Sequence, residues 1–225
     1  MAKATGTTSP RERYRSQVRA EIKERAWEQI ADAGASALSL NAIAKRMGMS
    51  GPALYRYYGS RDELITELIR DAYRGLADVV HAAALDGADL AGLAHTMRRW
   101  ALDDPQRYFL IFGTPVPGYH APDDVTTISA EIMAALLDAC AKLPDDSLGE
   151  DFDRHIGAHR AWAGDHPATP AMLHRALSFW TRVHGALSLE LAGHFTGMDF
   201  DAAALFAAEV AGLVEPAPGP DRGKR

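Results

Sequence analysis

One cysteine, Cys140, stands among the 225 residues, so no disulfide can close within the chain and no thiolate zinc cage can form. No apolar run approaches the roughly 18 residues that a membrane span needs. The opening residues, MAKATGTTSPRERYR, lack the apolar middle stretch of a secretory signal. A cytoplasmic location without a membrane partner is expected. Sustained alternation of apolar and polar residues is missing too, which argues against half-buried strands, and there is no internal repeat. A glycine-rich phosphate loop, a Gly-x-Ser-x-Gly elbow and a His-Glu-x-x-His pair are all absent. No cofactor and no enzymatic role is expected. Cys140 lies in an apolar stretch with no activating base near it in sequence and reads as a buried structural thiol.

What is present is globular. The chain is 47% apolar and 24% charged, and its length suits one large domain or two small ones. Its net charge of −6 is unevenly spread. Residues 1–70 carry 12 Lys and Arg against 8 Asp and Glu, whereas residues 71–225 carry 12 against 22. A basic first third on an acidic body points to a polyanion-binding head joined to a body with another task. Chance clustering of solvated helix charges is the competing explanation.

The pattern is helical throughout, with nine or ten segments. Val18, Ile22, Ala26 and Ile30 recur every four residues in a helix from Arg11 to about Ala33, which Gly34 ends. Ser39 caps a short helix from Leu40 to Met47, and Ser50 caps another that tolerates Pro52 in its first turn. Ser60 and Glu63 form a capping box that opens a long helix through Leu64, Leu68, Ile69 and Leu76. Further helices are expected at about 89–101, 105–112, 122–142 and 150–163. Two more should run from Pro170 to about Phe195 and from Asp199 to Leu213. Residues 1–10 and 215–225 read as loose tails and TPVPGYHAP as a loop, because proline and glycine cannot propagate a helix there. The fold class is all-α.

The informative segment is SLNAIAKRMGMSGPALYRYYGSRDEL, residues 39–64. Two short helices joined through Gly48, Met49 and Ser50 make a helix-turn-helix. Leu40, Ile43, Ala44, Met47, Met49 and Leu54 would bury against the first helix. The second short helix would then present Ser50, Gly51, Pro52, Ala53, Tyr57 and the edge of Tyr55 to the major groove of DNA. The run Ala44 to Gly48, Met49-Ser50, Leu54-Tyr55-Arg56-Tyr57-Tyr58, Gly59-Ser60-Arg61 and Glu63-Leu64 closely resembles the DNA-binding domain of the TetR family of bacterial repressors. That resemblance covers about 50 residues near the N-terminus, followed by a helical body of family-typical length.

The resemblance implies that Tyr55 and Arg61 hold phosphates and that Ser39 caps its helix and touches the backbone. Asn41, Gly51, Pro52, Ala53 and Tyr57 fall at positions that reach bases in the family, and Ser50 and Arg56 are counted with them as DNA-binding residues. Tyr58 stands where a buried Phe is usual, so its hydroxyl needs a partner or a surface position. Each tyrosine has a competing reading as a packing aromatic, and Arg46, Arg56 and Arg61 as solvated charges. Arg11, Arg13, Arg15 and Arg19 form a basic arm that either follows the DNA backbone or is merely solvated.

Residues 104–113, DPQRYFLIFG, and Trp180-Thr181-Arg182-Val183-His184-Gly185 resemble, more loosely, one branch of TetR-type ligand-binding domains. The implied architecture is a helix-turn-helix domain over 11–62 and a helical-bundle effector-binding and dimerisation domain over 63–214. Trp100, Tyr108, Phe112, Trp162, Trp180 and His184 are the candidate effector pocket, with ordinary core packing the alternative. Phe179 belongs to the same concentration of rings. Leu173, Leu177, Leu187, Leu191, Leu205, Phe206, Val210 and Leu213 on the last two helices would build a homodimer interface, or else an intrachain core. The expected partners are a near-palindromic DNA operator, a second copy of the chain and a small-molecule effector that releases a repressor. A vestigial head on a ligand-binding body is a second reading. A third is a metalloprotein using Asp151, His155, His159 and His166.

Overall fold

The computed structural model describes residues 9–114, 122–145 and 148–214. Apart from Ser9 and Pro10, the expected tails lie outside the described residues, as does most of the proline-rich loop. Ten α-helices and no strand are found among the described residues. The chain divides into two compact units within its fourth helix, between Ile69 and Arg70.

The N-terminal unit starts with α1, Pro10–Ala33. It begins at Pro10 because Ser9 and Glu12 close a capping box: the Glu12 amide donates to Ser9 Oγ at 3.2 Å and the Ser9 amide to Glu12 Oε2 at 2.7 Å. Val18, Ile22, Ala26 and Ile30 are buried, as the four-residue spacing requires. A 3-10 turn over Ala35–Ala37 leads to α2, Leu40–Arg46. Ser39 caps α2 by accepting from the Ala42 amide at 3.3 Å. Gly48, at φ +65°, makes the reversal that lets the Met49 amide donate back to the Ala44 carbonyl at 2.9 Å. Then comes α3, Gly51–Leu54. Ser50 contributes its carbonyl to this helix but no side-chain cap, so its hydroxyl is not consumed as expected. Met47 and Met49 are half-buried rather than part of the core that holds Leu40, Ile43, Ala44 and Leu54.

The long helix α4, Arg61–Leu85, seats Leu64, Ile65 and Leu68 without exposure, which is why this unit continues past residue 62 to Ile69. Its cap differs from the expected box. The Glu63 amide donates to Ser60 Oγ at 3.1 Å, but the Glu63 carboxylate receives the Gly59 amide, at 2.6 Å, instead of that of Ser60. Tyr58 is fully buried. Its hydroxyl donates to Glu67 Oε2 at 3.3 Å, and the Arg19 guanidinium lies 4.3 Å over its ring. Arg19 also donates to the Tyr57 carbonyl at 2.8 Å and pairs with Glu67 at 3.1 Å. One arginine of the supposed basic arm is therefore turned inward to tie α1, the end of α3 and α4 together.

The C-terminal unit comprises the rest of α4 with α5 (Leu90–Asp103), α6 (Pro105–Phe112), α7 (Asp123–Cys140), α8 (Glu150–Ala158), α9 (Pro170–Leu191) and α10 (Ala202–Val214). Helix α9 packs on α7, α8 and α10, and the core runs through Leu76, Leu93, Met97, Ile132, Phe179 and Leu187. The segment expected as a helix over 150–163 stops at Ala158 and resumes as a 3-10 turn over Ala161–Ala163. Helix α9 ends before Phe195 because Gly193 takes φ +76°, and α10 starts at Ala202, where Asp201 Oδ1 accepts from the Ala203 amide. Arg98 clamps α5 to α9 with two bonds to Glu190, at 3.0 and 2.5 Å. Leu173, Leu187, Phe206, Val210 and Leu213 are buried within this unit, and Leu177, Leu191 and Leu205 are half-buried. An intrachain core thus accounts for most of the apolar residues assigned to a dimer interface.

Glu67 accepts from Arg19 of α1 and from Tyr58 in the link between α3 and α4, so Glu67→Ala is expected to cost about 1–2 kcal/mol, as befits a partly exposed ion pair. Tyr58→Phe, which loses the long hydroxyl bond to Glu67 and keeps the ring, should cost less than about 1 kcal/mol. Urea unfolding of the two variants checks the ranking, and a costlier Tyr58→Phe would refute it.

Candidate nucleic-acid interface and effector region

The outer surface of α2 and α3 collects much of the residue set named from sequence. Asn41, Ser50, Pro52, Tyr55 and Arg56 are exposed, and Ser39, Gly51, Ala53 and Tyr57 are half-buried. Gly51 and Asn41 meet closely: a Cβ on Gly51 would lie 3.2 Å from Asn41 Oδ1. The missing side chain therefore makes room for the Asn41 amide at the start of α3. Tyr55 is 46% exposed, a large apolar cost for a residue with no internal role.

The basic residues separate into committed and free. Arg61 donates Nε to the Leu38 carbonyl at 3.1 Å and Nη2 to the carbonyls of Ala35 and Ser36 at 2.9 and 3.2 Å. Its guanidinium is occupied in holding α4 against the link that precedes α2. Arg46 faces Glu28 and Asp32, each at 3.6 Å, and so is a neutralised surface charge. Arg56 is exposed and carries no ion pair among the described residues. The same holds for Lys45, near the end of α2, which the sequence reading did not include; its exposure on a helix too short to bury both faces was the only available signal.

In the C-terminal unit, five of the six pocket candidates converge. Phe112 and Trp180 each place a ring centroid 4.2 Å from that of His184, and Tyr108 stacks on His184 at 5.7 Å. Trp100 borders the same group, together with Leu76 and Met97, which sequence reasoning did not single out. Tyr73 adds an edge to Phe112 at 5.9 Å. Trp162 sits in the 3-10 turn after α8, half-buried against the core and outside this ring cluster. The rings fill the space between them, leaving no room for a water molecule.

The Tyr108 hydroxyl reaches His184 Nδ1 at 3.1 Å, the His184 carbonyl at 3.2 Å and Ser188 Oγ at 2.9 Å. It has one proton, and a carbonyl can only accept. Serving all three contacts puts the phenol proton on the carbonyl and makes Nδ1–H and the Ser188 hydroxyl donors to the phenol oxygen. His184 Nε2 is then a lone-pair acceptor, and it is buried without a partner. Burial pulls the His184 pKa down to about 4 and pushes that of Tyr108 up. Burial also lifts the Cys140 thiol to about 11, which keeps it protonated and unreactive.

The side chains of the metal reading are used otherwise. Asp151 pairs with Arg154, His159 Nδ1 meets the His155 carbonyl at 2.8 Å, and His166 meets Asp138 at 3.1 Å. No group of three or more metal-capable side chains gathers among the described residues.

Comparison with known proteins settles the class. Residues 22–68 match the family of bacterial regulatory proteins of the tetR type, and residues 90–213 match the tetracyclin repressor-like C-terminal domain. The chain belongs to the TetR family. It is 38% identical over 200 residues to the HTH-type transcriptional regulators Mb1846 of Mycobacterium bovis and Rv1816 of Mycobacterium tuberculosis, covering 80% of this chain and 83% of theirs. A solved structure described as a regulatory protein, SCO4313, is 72% identical, covers 92% of this chain and all of its own, and superposes with a TM-score of 0.86. PfmR of Thermus thermophilus, a TetR-family regulator, shares the fold at 15% identity, with a TM-score of 0.56 over 86% of this chain and 96% of its own. The protein is accordingly a DNA-binding transcriptional regulator of the TetR family. Among its described residues no helix is long and apolar enough to cross a membrane.

His184 is half-buried with its Nε2 out of solvent, and its lowered pKa predicts an acid response. Between about pH 6.5 and 4 the unfolded chain binds a proton that the folded chain refuses, so stability is full above that window and falls as pH drops through it. The loss attributable to this group is about 3 kcal/mol at most. The stability gap between wild type and His184→Gln, measured by urea unfolding, should be largest above pH 7 and shrink toward pH 4. A gap independent of pH would show that His184 is not held neutral.

Proposed function

We propose that the protein is a homodimeric repressor whose two heads occupy successive major grooves of a near-palindromic operator in the cytoplasm, and that a small molecule bound by the C-terminal unit releases it. The observation carrying this reading is the surface of α2 and α3. Exposed Tyr55, Arg56, Asn41 and Ser50 have no internal task that would explain them, while Arg61, Arg19 and Glu67 are spent on holding the elements that display them. Tyr55, Arg56 and the amide end of α3 meet phosphates, and Asn41 and Tyr57 read base edges beside Gly51, Pro52 and Ala53. Ser39 orders the start of α2, and Arg61 acts through the scaffold.

Dimerisation rests on a different set of residues from that read in the sequence. Helix α10, AAALFAAEVAGLV, has one charge, Glu209, and its exposed positions include Ala204, Ala207, Ala208 and Gly212. Small residues on this face, bordered by the Arg182–Glu209 ion pair, let a second helix approach closely, and Leu189 of α9, 46% exposed, extends the apolar surface. Release requires that the effector bind the two conformations with different affinity, since equal affinity shifts nothing.

Fluorescence anisotropy on DNA upstream of the protein's own coding sequence tests the head. Tyr55→Ala should abolish specific binding. Arg56→Ala should weaken binding to all sequences and lower the salt slope by about one. Arg46→Ala, whose charge is already neutralised, should bind as wild type does. Equal binding of all four proteins to scrambled DNA would leave only a nonspecific basic surface. For the dimer, light scattering should give twice the chain mass for wild type and the chain mass for Ala207→Glu/Ala208→Glu; a wild-type monomer would refute the interface.

A further inference from the structure

The C-terminal unit contains a cleft of about 640 Å3 that is separate from the aromatic cluster. Its volume lies within the range of roughly 300–1,000 Å3 typical of small-molecule sites. The walls come from the last turn of α4 and the link after it (Ala84, Ala88), from Leu93 of α5, and from Ala134, Ala135 and Ala139 of α7. Glu131, Ala134, Ala135 and Asp138 follow a three-and-four spacing, so α7 turns a single face to the cleft, and Lys142 follows in the turn after the helix. Alanines along that face leave open space that larger side chains would fill.

Four polar side chains line the cleft, and they differ in what they are already doing. Glu131 receives Arg74 at 2.8 Å, and Asp138 receives His166 at 3.1 Å. Both carboxylates are therefore engaged. The side chains of His81, half-buried, and Lys142, exposed, have no hydrogen bond or ion pair among the described residues. A ligand bringing a cation meets carboxylates that already hold Arg74 and His166, whereas one bringing an acceptor finds two uncommitted donors.

We infer that this cleft, and not the packed cluster around His184, is where the regulator takes its effector, and that the effector is an apolar molecule with an anionic, carboxylate-like head. The head lies between Lys142 and His81, and the apolar body lies along the alanines of α7. This inference rests on the effector reading proposed above and adds the site and the ligand class. The His184 cluster leaves no room even for a water molecule beside the unpartnered Nε2, and it serves as packed core of the same unit.

A charge-matched series tests the site without DNA. Decanoate, decanol and decyltrimethylammonium are titrated into the full chain by calorimetry below their micellar concentrations. Decanoate should bind about three- to fivefold more tightly than decanol, as an exposed ion pair supplies, and Lys142→Gln should remove that margin while leaving decanol affinity unchanged. Ala134→Phe should block all three ligands while the far-ultraviolet circular dichroism stays that of wild type; Ala84→Phe fills the opposite wall should the first variant misfold. Preference for the ammonium compound, or binding that neither filled variant disturbs, would overturn the inference. Repeating the titration in the anisotropy assay separates the two proposals. Decanoate that binds the cleft yet leaves DNA affinity unchanged upholds the site and overturns release, whereas loss of the charge preference overturns the ligand class and leaves the DNA reading standing.

Discussion

Four residues cannot sustain a helix in water. The nucleation cost of the first turn exceeds what so short a segment returns, and α3, Gly51–Leu54, persists only because its surroundings hold it. Everything the head does depends on that constraint. Leu54 and Tyr58 are buried without exposure, and the carbonyl of Tyr57 is fixed by Arg19. Glu67 closes the arrangement by accepting from both Arg19 and Tyr58. Arg61 does the same for the other short helix, holding the three carbonyls that lead into α2. Arg19 and Arg61 are spent on backbone carbonyls, while the exposed side chains of Tyr55, Arg56 and Asn41 carry no ion pair among the described residues.

The same division between committed and uncommitted groups organises the C-terminal unit. Arg98 and Glu190 neutralise each other in a largely desolvated position, and Tyr108 satisfies His184 and Ser188 with one hydroxyl. Such ties fix which helices meet, because a partner left unpaired in an apolar interior costs more than the bond returns. Helix α4 is a single element with its first residues in one compact unit and its remainder in the other. Its Arg61 end supports the link before α2, and its Ala84 end walls the cleft.

Much of the fold was legible because helices announce themselves by period and punctuation. The four-residue recurrence of Val18, Ile22, Ala26 and Ile30, the Ser39 cap and the Gly48 reversal are local features, and local chemistry decides them. Departures occurred where two local signals competed. Ser60 and Glu63 looked like a closed box, but the glutamate reached the Gly59 amide instead, and Gly193 ended α9 before the apolar run did. The candidate site was less legible. Exposure of Tyr55 and Arg56 follows from the pattern, yet nothing in the string separates Arg56, free, from Arg61, occupied by three carbonyls 23 to 26 residues away in sequence.

By itself, then, the order of residues determined the all-helical class, the helix-turn-helix and the ring-rich segments, since each depends on spacings of a few residues along one chain. The tertiary structure decided which charges are committed and which apolar residues are buried. It turned Arg19 inward, packed Phe206 and Val210 into their own unit, closed the rings around His184 and opened the alanine-lined cleft beside α7. Those outcomes depend on the volumes and hydrogen-bonding groups that distant segments bring to one place, and a side chain's surplus is known only after its neighbours have taken their share.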